Sequence, residues 1–320
     1  SFFPFYRNKE LQYIFKKLQE GFSRETVVAR FVGGCVRKHL SGDEVDDIDI
    51  ATILTTDQIK ARFENTKLKV IDTGLAHGTV TILSENQKVE LTTLRKDIRT
   101  DGRHAEIGYT NDWKVDSERR DFTINAIYLD IKGKIFDPQQ GVADLKNHNI
   151  KFIGDPQKRI EEDYLRIIRF IRFSLEYESK IEQTTIKAIK LNLDGIKIIS
   201  KERILSELFK ILSAKNFLTL NKNKELKEIF SLIFAEFKYL ERLNKLENIN
   251  YHSNFDKKTL LAVMLIDEKN NHEYFSHKYN VSNELKETLN LIAKNYVILQ
   301  NNKEFFFKDL KKNIYYFGKM

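Results

Sequence analysis

Little in this 320-residue chain can be cross-linked or kinked: it has one cysteine, Cys35, and three prolines, Pro4, Pro138 and Pro156. A single cysteine excludes an internal disulfide framework and a cysteine metal cluster, and it fits a reducing, cytoplasmic setting. No apolar run approaches the roughly 18 residues that a membrane span needs, so no membrane role is expected. The aromatic stretch Phe2 to Phe22 is broken by Arg7, Lys9, Glu10, Lys16 and Lys17. It reads as an amphipathic helix capping a core rather than as a signal peptide. No internal repeat or low-complexity linker is visible, and no obligate protein partner is evident.

Charge is unevenly placed. Residues 1–150 hold 23 basic and 23 acidic side chains, whereas 151–320 hold 31 and 23, so the whole +8 lies in the second part. A neutral front and a basic back point to chemistry in the first and polyanion contact in the second. Solvated Lys- and Asn-rich helix faces account for part of that excess.

Periodicity changes along the chain in the same sense. Up to about Ile153, short apolar runs (27–32, 48–52, 69–72, 79–84, 89–94, 127–131) read as strands, separated by short helices. Thr56 to Asn65 reads as a helix opened by Thr55 or Thr56, and Lys132-Gly133 as a hairpin turn leading into Lys134 to Phe136. Arg95 to Asp112, with Gly102 and Gly108, is charged and aperiodic, and reads as a long functional or mobile loop. After Pro156 apolar residues recur at three- and four-residue spacing. The expected fold class is α+β: a head over 1–150 with a small mixed β-sheet and helices, then an all-α remainder.

The first chemical signal is Gly33-Gly34-Cys35-Val36-Arg37, placed between a buried strand and the short helix Cys35 to Leu40. Two glycines allow a sharp turn that aims backbone N–H groups at an anion, and a helix N-terminus adds partial positive charge. Arg37, in the first turn, can fork onto the same phosphates. The second signal is Asp47-Ile48-Asp49. Residues two apart share a face of a strand, and two hard oxygen ligands beside a triphosphate suit Mg²⁺, which completes its shell with water and substrate phosphate. Separately, either signal is weak, and glycosyltransferases also use Asp-x-Asp. Joined by one helix they point to a nucleotide and a metal.

Three further segments add to this. Glu90, on the run Val89 to Leu94, is either a third carboxylate, as general base or ligand of a second Mg²⁺, or a sheet-edge residue facing water. In Arg119-Arg120-Asp121, one arginine can reach phosphate while its neighbour pairs with Asp121, and Asp121 can also accept from ribose hydroxyls. Glu162-Asp163-Tyr164-Leu165-Arg166 opens an apolar helix on which Asp163, Arg166, Arg169 and Arg172 recur every three residues and so share a face. A carboxylate only accepts and a guanidinium only donates. An Asp163/Arg166 fork therefore matches the amine-beside-ring-nitrogen edge of cytosine and adenine and rejects uracil and guanine.

Four motifs in order, Gly33-Gly34-Cys35-Val36-Arg37, Asp47-Ile48-Asp49, Arg119-Arg120-Asp121-Phe122-Thr123-Ile124-Asn125-Ala126 and Glu162-Asp163-Tyr164-Leu165-Arg166, together resemble those of class II tRNA nucleotidyltransferases, the CCA-adding enzymes of the DNA polymerase beta superfamily. The resemblance covers roughly Phe31 to Phe209. It implies a nucleotidyltransferase head (1–150), a helical neck (151–215) and a helical body and tail (216–320) that hold tRNA. It implies Mg²⁺ on Asp47 and Asp49, phosphate and ribose contacts for Arg37, Arg119 and Arg120, and base templating by Asp163 and Arg166. The implied activity extends or repairs the tRNA 3′ end with CTP and ATP, releasing pyrophosphate. The alternatives are a poly(A) polymerase, or an enzyme adding only CC or only A. Gly74-Leu75-Ala76-His77-Gly78-Thr79-Val80 resembles the tRNA branch, and Arg95 to Asp112 sits where the family keeps a flexible loop. Lys38 departs from the usual Asp, leaving Asp43 or Asp46 to brace Arg37. The tail, ending at Met320, is short, and no His-Asp dipeptide marks an appended phosphohydrolase domain.

Overall fold

The structure is a computed structural model that describes residues 4–74, 77–84, 87–100, 105–248, 255–267, 269–302 and 304. Leu75 and Ala76 of the glycine-flanked motif, Gly102 of the expected loop, Phe2 at the start and the tail to Met320 lie outside the described residues.

Helix α1 (Lys9–Gln19) is capped by Asn8, whose side chain accepts from the Glu10 N–H at 2.8 Å. It buries Leu11, Ile14, Phe15 and Leu18, the stripe expected of an amphipathic helix. Next come β1 (Ala29–Val32), α2 (Gly34–Ser41), β2 (Ile48–Thr52) and α3 (Thr56–Phe63). A reciprocal Thr55–Gln58 capping box starts α3. Strands β3 (Lys69–Gly74), β4 (Thr79–Leu83) and β5 (Lys88–Thr93) follow.

The stretch expected to be a loop is instead largely paired. β6 (Arg95–Thr100) and β7 (Ala105–Tyr109) form an antiparallel two-stranded ribbon, with Arg95 opposite Tyr109. The charged residues that hid its periodicity belong to a ribbon with no third strand among the described residues: Ile98 is 53% exposed. Then come α4 (Trp113–Glu118), β8 (Tyr128–Leu129), β9 (Ile135–Phe136) and α5 (Gly141–Lys146).

The main sheet has the order β3-β4-β5-β2-β1-β8-β9. Only β2 and β5 run parallel, and every other neighbouring pair is antiparallel. Ile48 and Ile50 of β2 are buried on one face, and Phe31 of β1 is fully buried, its ring 4.6 Å from Phe15 of α1. The opposite face of β2 carries Asp49, and further along that face Ala51 packs with Val32, Leu94 and Tyr128.

The remaining elements are helical: α6 (Pro156–Glu162), α7 (Leu165–Glu176), α8 (Gln183–Leu191), α9 (Lys201–Leu212), α10 (Lys224–Ile233), α11 (Leu243–Asn248), α12 (Lys257–Leu265), α13 (Asn271–Tyr279) and α14 (Asn283–Asn301). Here too the structure corrects an expectation. Asp163 is not on the face of one continuous helix with Arg166. It ends α6 with extended backbone (φ −156°, ψ 104°), and its carboxylate accepts from the Leu165 N–H that starts α7.

The described residues form two compact units. One comprises those up to Arg166 together with Ser179–Gly195, and the other Ile167–Glu178 with those from Ile196 onward. The expected boundary at 150 falls inside the first unit and that at 215 inside the second. The second unit is centred on an aromatic cluster in which Phe230 stacks on Phe237 at 5.5 Å and Phe275 lies 4.9 Å from Tyr279. Among the described residues no helix is long and apolar enough to cross a membrane.

Candidate active site

Gly33 makes the turn between β1 and α2 at φ 73° and ψ −127°, a conformation that a side chain would strain. It makes no side-chain cap, so α2 opens with its first N–H groups unbonded by a capping side chain. A methyl group at Gly33 would sit 3.8 Å from Asp49 Oδ2 and 4.0 Å from Arg120 Nη1, whereas Gly34 has open space around it. One bend thus brings together the diglycine, the Asp-x-Asp strand and the double arginine.

Asp47 precedes β2 and is exposed, while Asp49 is half-buried. β5 lies parallel beside β2, with Glu90 in register with Asp49. Glu90 is therefore on an interior strand beside the aspartates, not at the sheet edge. Burial pushes the Asp49 carboxyl up to about 6, with Glu90 and Asp47 adding to the shift and Arg120 and Arg37 opposing it. Like charges so placed are what a bound cation would relieve. Among the described residues no three His, Cys, Asp or Glu side chains are grouped tightly enough to hold a metal unaided.

The arginines are held by a residue that sequence reasoning missed. Asp116, on α4, is fully buried and accepts from Arg119 Nε at 2.8 Å, from Tyr128 Oη at 2.7 Å and from the Arg95 backbone N–H at 3.2 Å. Arg120 Nη2 donates to it at 3.2 Å. Burial alone would raise the Asp116 carboxyl, but Arg120 and Arg119 hold it down at about 2. The carboxylate that both arginines share is thus Asp116 rather than the expected Asp121. Asp121 instead accepts from the Phe122 N–H at 2.8 Å and from Asn125 Nδ2 at 2.9 Å. Asn125 in turn accepts from Arg37 Nη1 through its Oδ1. The bracing expected from Asp43 or Asp46 falls to this amide, and Asp46 pairs with Lys38.

The same network reaches the base-reading candidates. Arg159 Nη2 donates to the Arg120 carbonyl at 2.6 Å, and Arg166 donates to the carbonyls of Arg159 at 2.6 Å and Arg119 at 3.4 Å. Glu162 pairs with both Arg159 and Arg166 at 2.6 Å. Beside Asp163, the Tyr164 ring lies against Gly195, where an added methyl would come within 2.1 Å of it. Arg169 and Arg172 are gathered elsewhere, within the second unit, at 3.7 and 3.4 Å from the buried carboxylate of Glu207. Cys35 is buried, donates to the Val32 carbonyl at 3.3 Å and has its thiol pushed up to about 12 by burial, so it stays protonated at neutral pH.

Comparison with known proteins agrees with this geometry. The family described as Poly A polymerase head domain matches residues 29–151, and that described as Probable RNA and SrmB-binding site of polymerase A matches 180–220. The mouse (Mus musculus) protein named CCA tRNA nucleotidyltransferase 1, mitochondrial, is 44% identical over 202 residues, 62% of this chain and 46% of that protein. The matched part of this chain is thus similar to CCA-adding nucleotidyltransferases. The CCA-adding enzyme of Lactobacillus helveticus is 43% identical over 188 residues, 57% of this chain and 45% of its own. The chain thus spans about half the length of the curated CCA-adding relatives it matches. The crystal structure of the Bacillus stearothermophilus CCA-adding enzyme in complex with CTP superposes with a TM-score of 0.72 at 26% identity, covering 90% of this chain and 69% of that one.

Proposed function

We propose that the chain completes or repairs the CCA 3′ end of tRNA without a nucleic-acid template, using CTP and ATP. The observation that carries this reading is the convergence of Asp49, Gly33 and Arg120 within one turn, with Glu90 in register beside Asp49. Gly33, Gly34 and the α2 N-terminus cradle the triphosphate, Arg37 and Arg120 neutralise it, and Arg119 and Asp121 serve the sugar and phosphate alongside. Asp47 and Asp49 hold Mg²⁺, which when bound supplies the positive charge that offsets the charge developing on the reacting phosphate in a two-metal site.

The acceptor's terminal 3′-oxygen forms a bond to the α-phosphorus while the α–β bridging bond breaks, and pyrophosphate leaves with that electron pair. The hydroxyl proton passes to Glu90 or to water. Asp163 and Arg166 select cytosine and adenine by their hydrogen-bonding edge. For Arg169 and Arg172, contact with the nucleotide rests on their three-residue spacing from Arg166 alone. Pyrophosphate release tests the reading: it should require CTP, a tRNA lacking its 3′ end and Mg²⁺ together, and release without tRNA would contradict it. A poly(A) polymerase, which the head-domain family's description also fits, would release pyrophosphate from ATP with unrelated RNA.

A further inference from the structure

In-line transfer places the attacking and departing oxygens on opposite sides of phosphorus. In the first unit β2, with Asp49, lies between β1 and β5. The diglycine turn and α2 follow β1, so the pyrophosphate side of the reaction is the β1 side. The RNA end must then arrive over β5. The first residue of that strand is Lys88, which alternation places on the same face as Glu90. Its ammonium is 2.8 Å from Glu90 Oε1, and the side chain is 59% exposed. Beyond it, β4 reads Thr-Val-Thr-Ile-Leu and adds no charge. A solvent-facing ion pair of this kind is weak, so an arriving phosphate can take over the ammonium.

We propose that Lys88 binds the last internucleotide phosphate of the acceptor strand and so sets its terminal hydroxyl on the Glu90 side of the site. This rests on the function proposed above and names the residue that receives the RNA.

The test uses the full chain with Lys88→Gln and Lys88→Arg and a fluorescent tRNA ending in CC. Affinity is measured by anisotropy from roughly 50 to 200 mM salt, and the KM for tRNA and for ATP by incorporation. The Gln variant should bind tRNA about tenfold more weakly, with a salt dependence shallower by about 0.7 to 0.9 in log–log slope, the share of one phosphate contact. Its KM for tRNA should rise while that for ATP stays at the wild-type value, and Arg should restore both affinity and slope. Wild-type affinity and slope in the Gln variant, or a rise confined to the KM for ATP, would overturn the assignment. If the wild-type chain extends tRNA and the Gln variant is unaffected, Lys88 alone falls. A wild-type chain that neither binds nor extends tRNA overturns both readings.

Discussion

Asp116 accepts a hydrogen bond of 2.7 Å from the Tyr128 hydroxyl at the bottom of a fully buried pocket, and Arg119 and Arg120 close over the same carboxylate. Four donors on one acceptor-only group fix both guanidiniums. Removing the charge leaves them buried without their counter-ion. Asp116→Asn should therefore destabilise the first unit by about 3 kcal/mol, the usual cost of breaking a buried ion pair. It should also raise the KM for CTP, because Arg120 loses the support that aims it at Gly33. Chemical unfolding together with steady-state kinetics checks both, and a variant with normal stability and KM would show the network to be idle.

The same residue sets an acid limit. Its folded pKa of about 2 lies below the ordinary 3.8, so the stabilisation it gives is complete above about pH 4 and is lost as pH falls toward 2. The shift corresponds to about 2 kcal/mol. Acid titration of wild type and Asp116→Asn, followed by tryptophan fluorescence, should show the wild type losing more stability than the variant across that window. Parallel curves would mean that the carboxylate titrates normally.

Asp49→Ala and Asp47→Ala should each abolish nucleotide incorporation while leaving the fold intact. The structure gives a reason to expect Asp49→Ala to be tolerated structurally. Above pH 6 the ionised Asp49 sits among like charges that burial makes costly, so its loss relieves the apo protein. Thermal unfolding without Mg²⁺ should show an unchanged or higher midpoint. Retained turnover in either variant would refute the metal assignment.

Arg166→Ala should relax nucleotide choice toward UTP and GTP. It also removes donors from the Arg159 carbonyl and from Glu162, so a loss of stability of about 1–3 kcal/mol is expected with it. Competition between the four NTPs on one tRNA separates the two effects, since instability lowers all four rates together. An unchanged C/A preference would sink the base-reading role.

The sequence revealed the parts of this site that repeat or alternate. The Asp-x-Asp strand was legible because Ile48 and Ile50 alternate with the carboxylates, and Thr55 marked the start of α3 through its capping box. The β6–β7 ribbon was not legible, because a two-stranded element with exposed faces carries charge where a buried strand would show apolar residues. Three-residue spacing also hid the helix break at Asp163, which only its extended backbone reveals. Asp116 left a signal that was overlooked: it stands three and four residues before Arg119 and Arg120, the spacing at which helical side chains meet.

The most direct measurement is the identity and order of residues added to a tRNA that ends at its discriminator nucleotide. With Mg²⁺, CTP and ATP, sequenced products should gain C, C and A in that order and stop, and CTP alone should add only the two cytidines. A lengthening adenosine tract, or products in which UTP replaces CTP, would contradict the account.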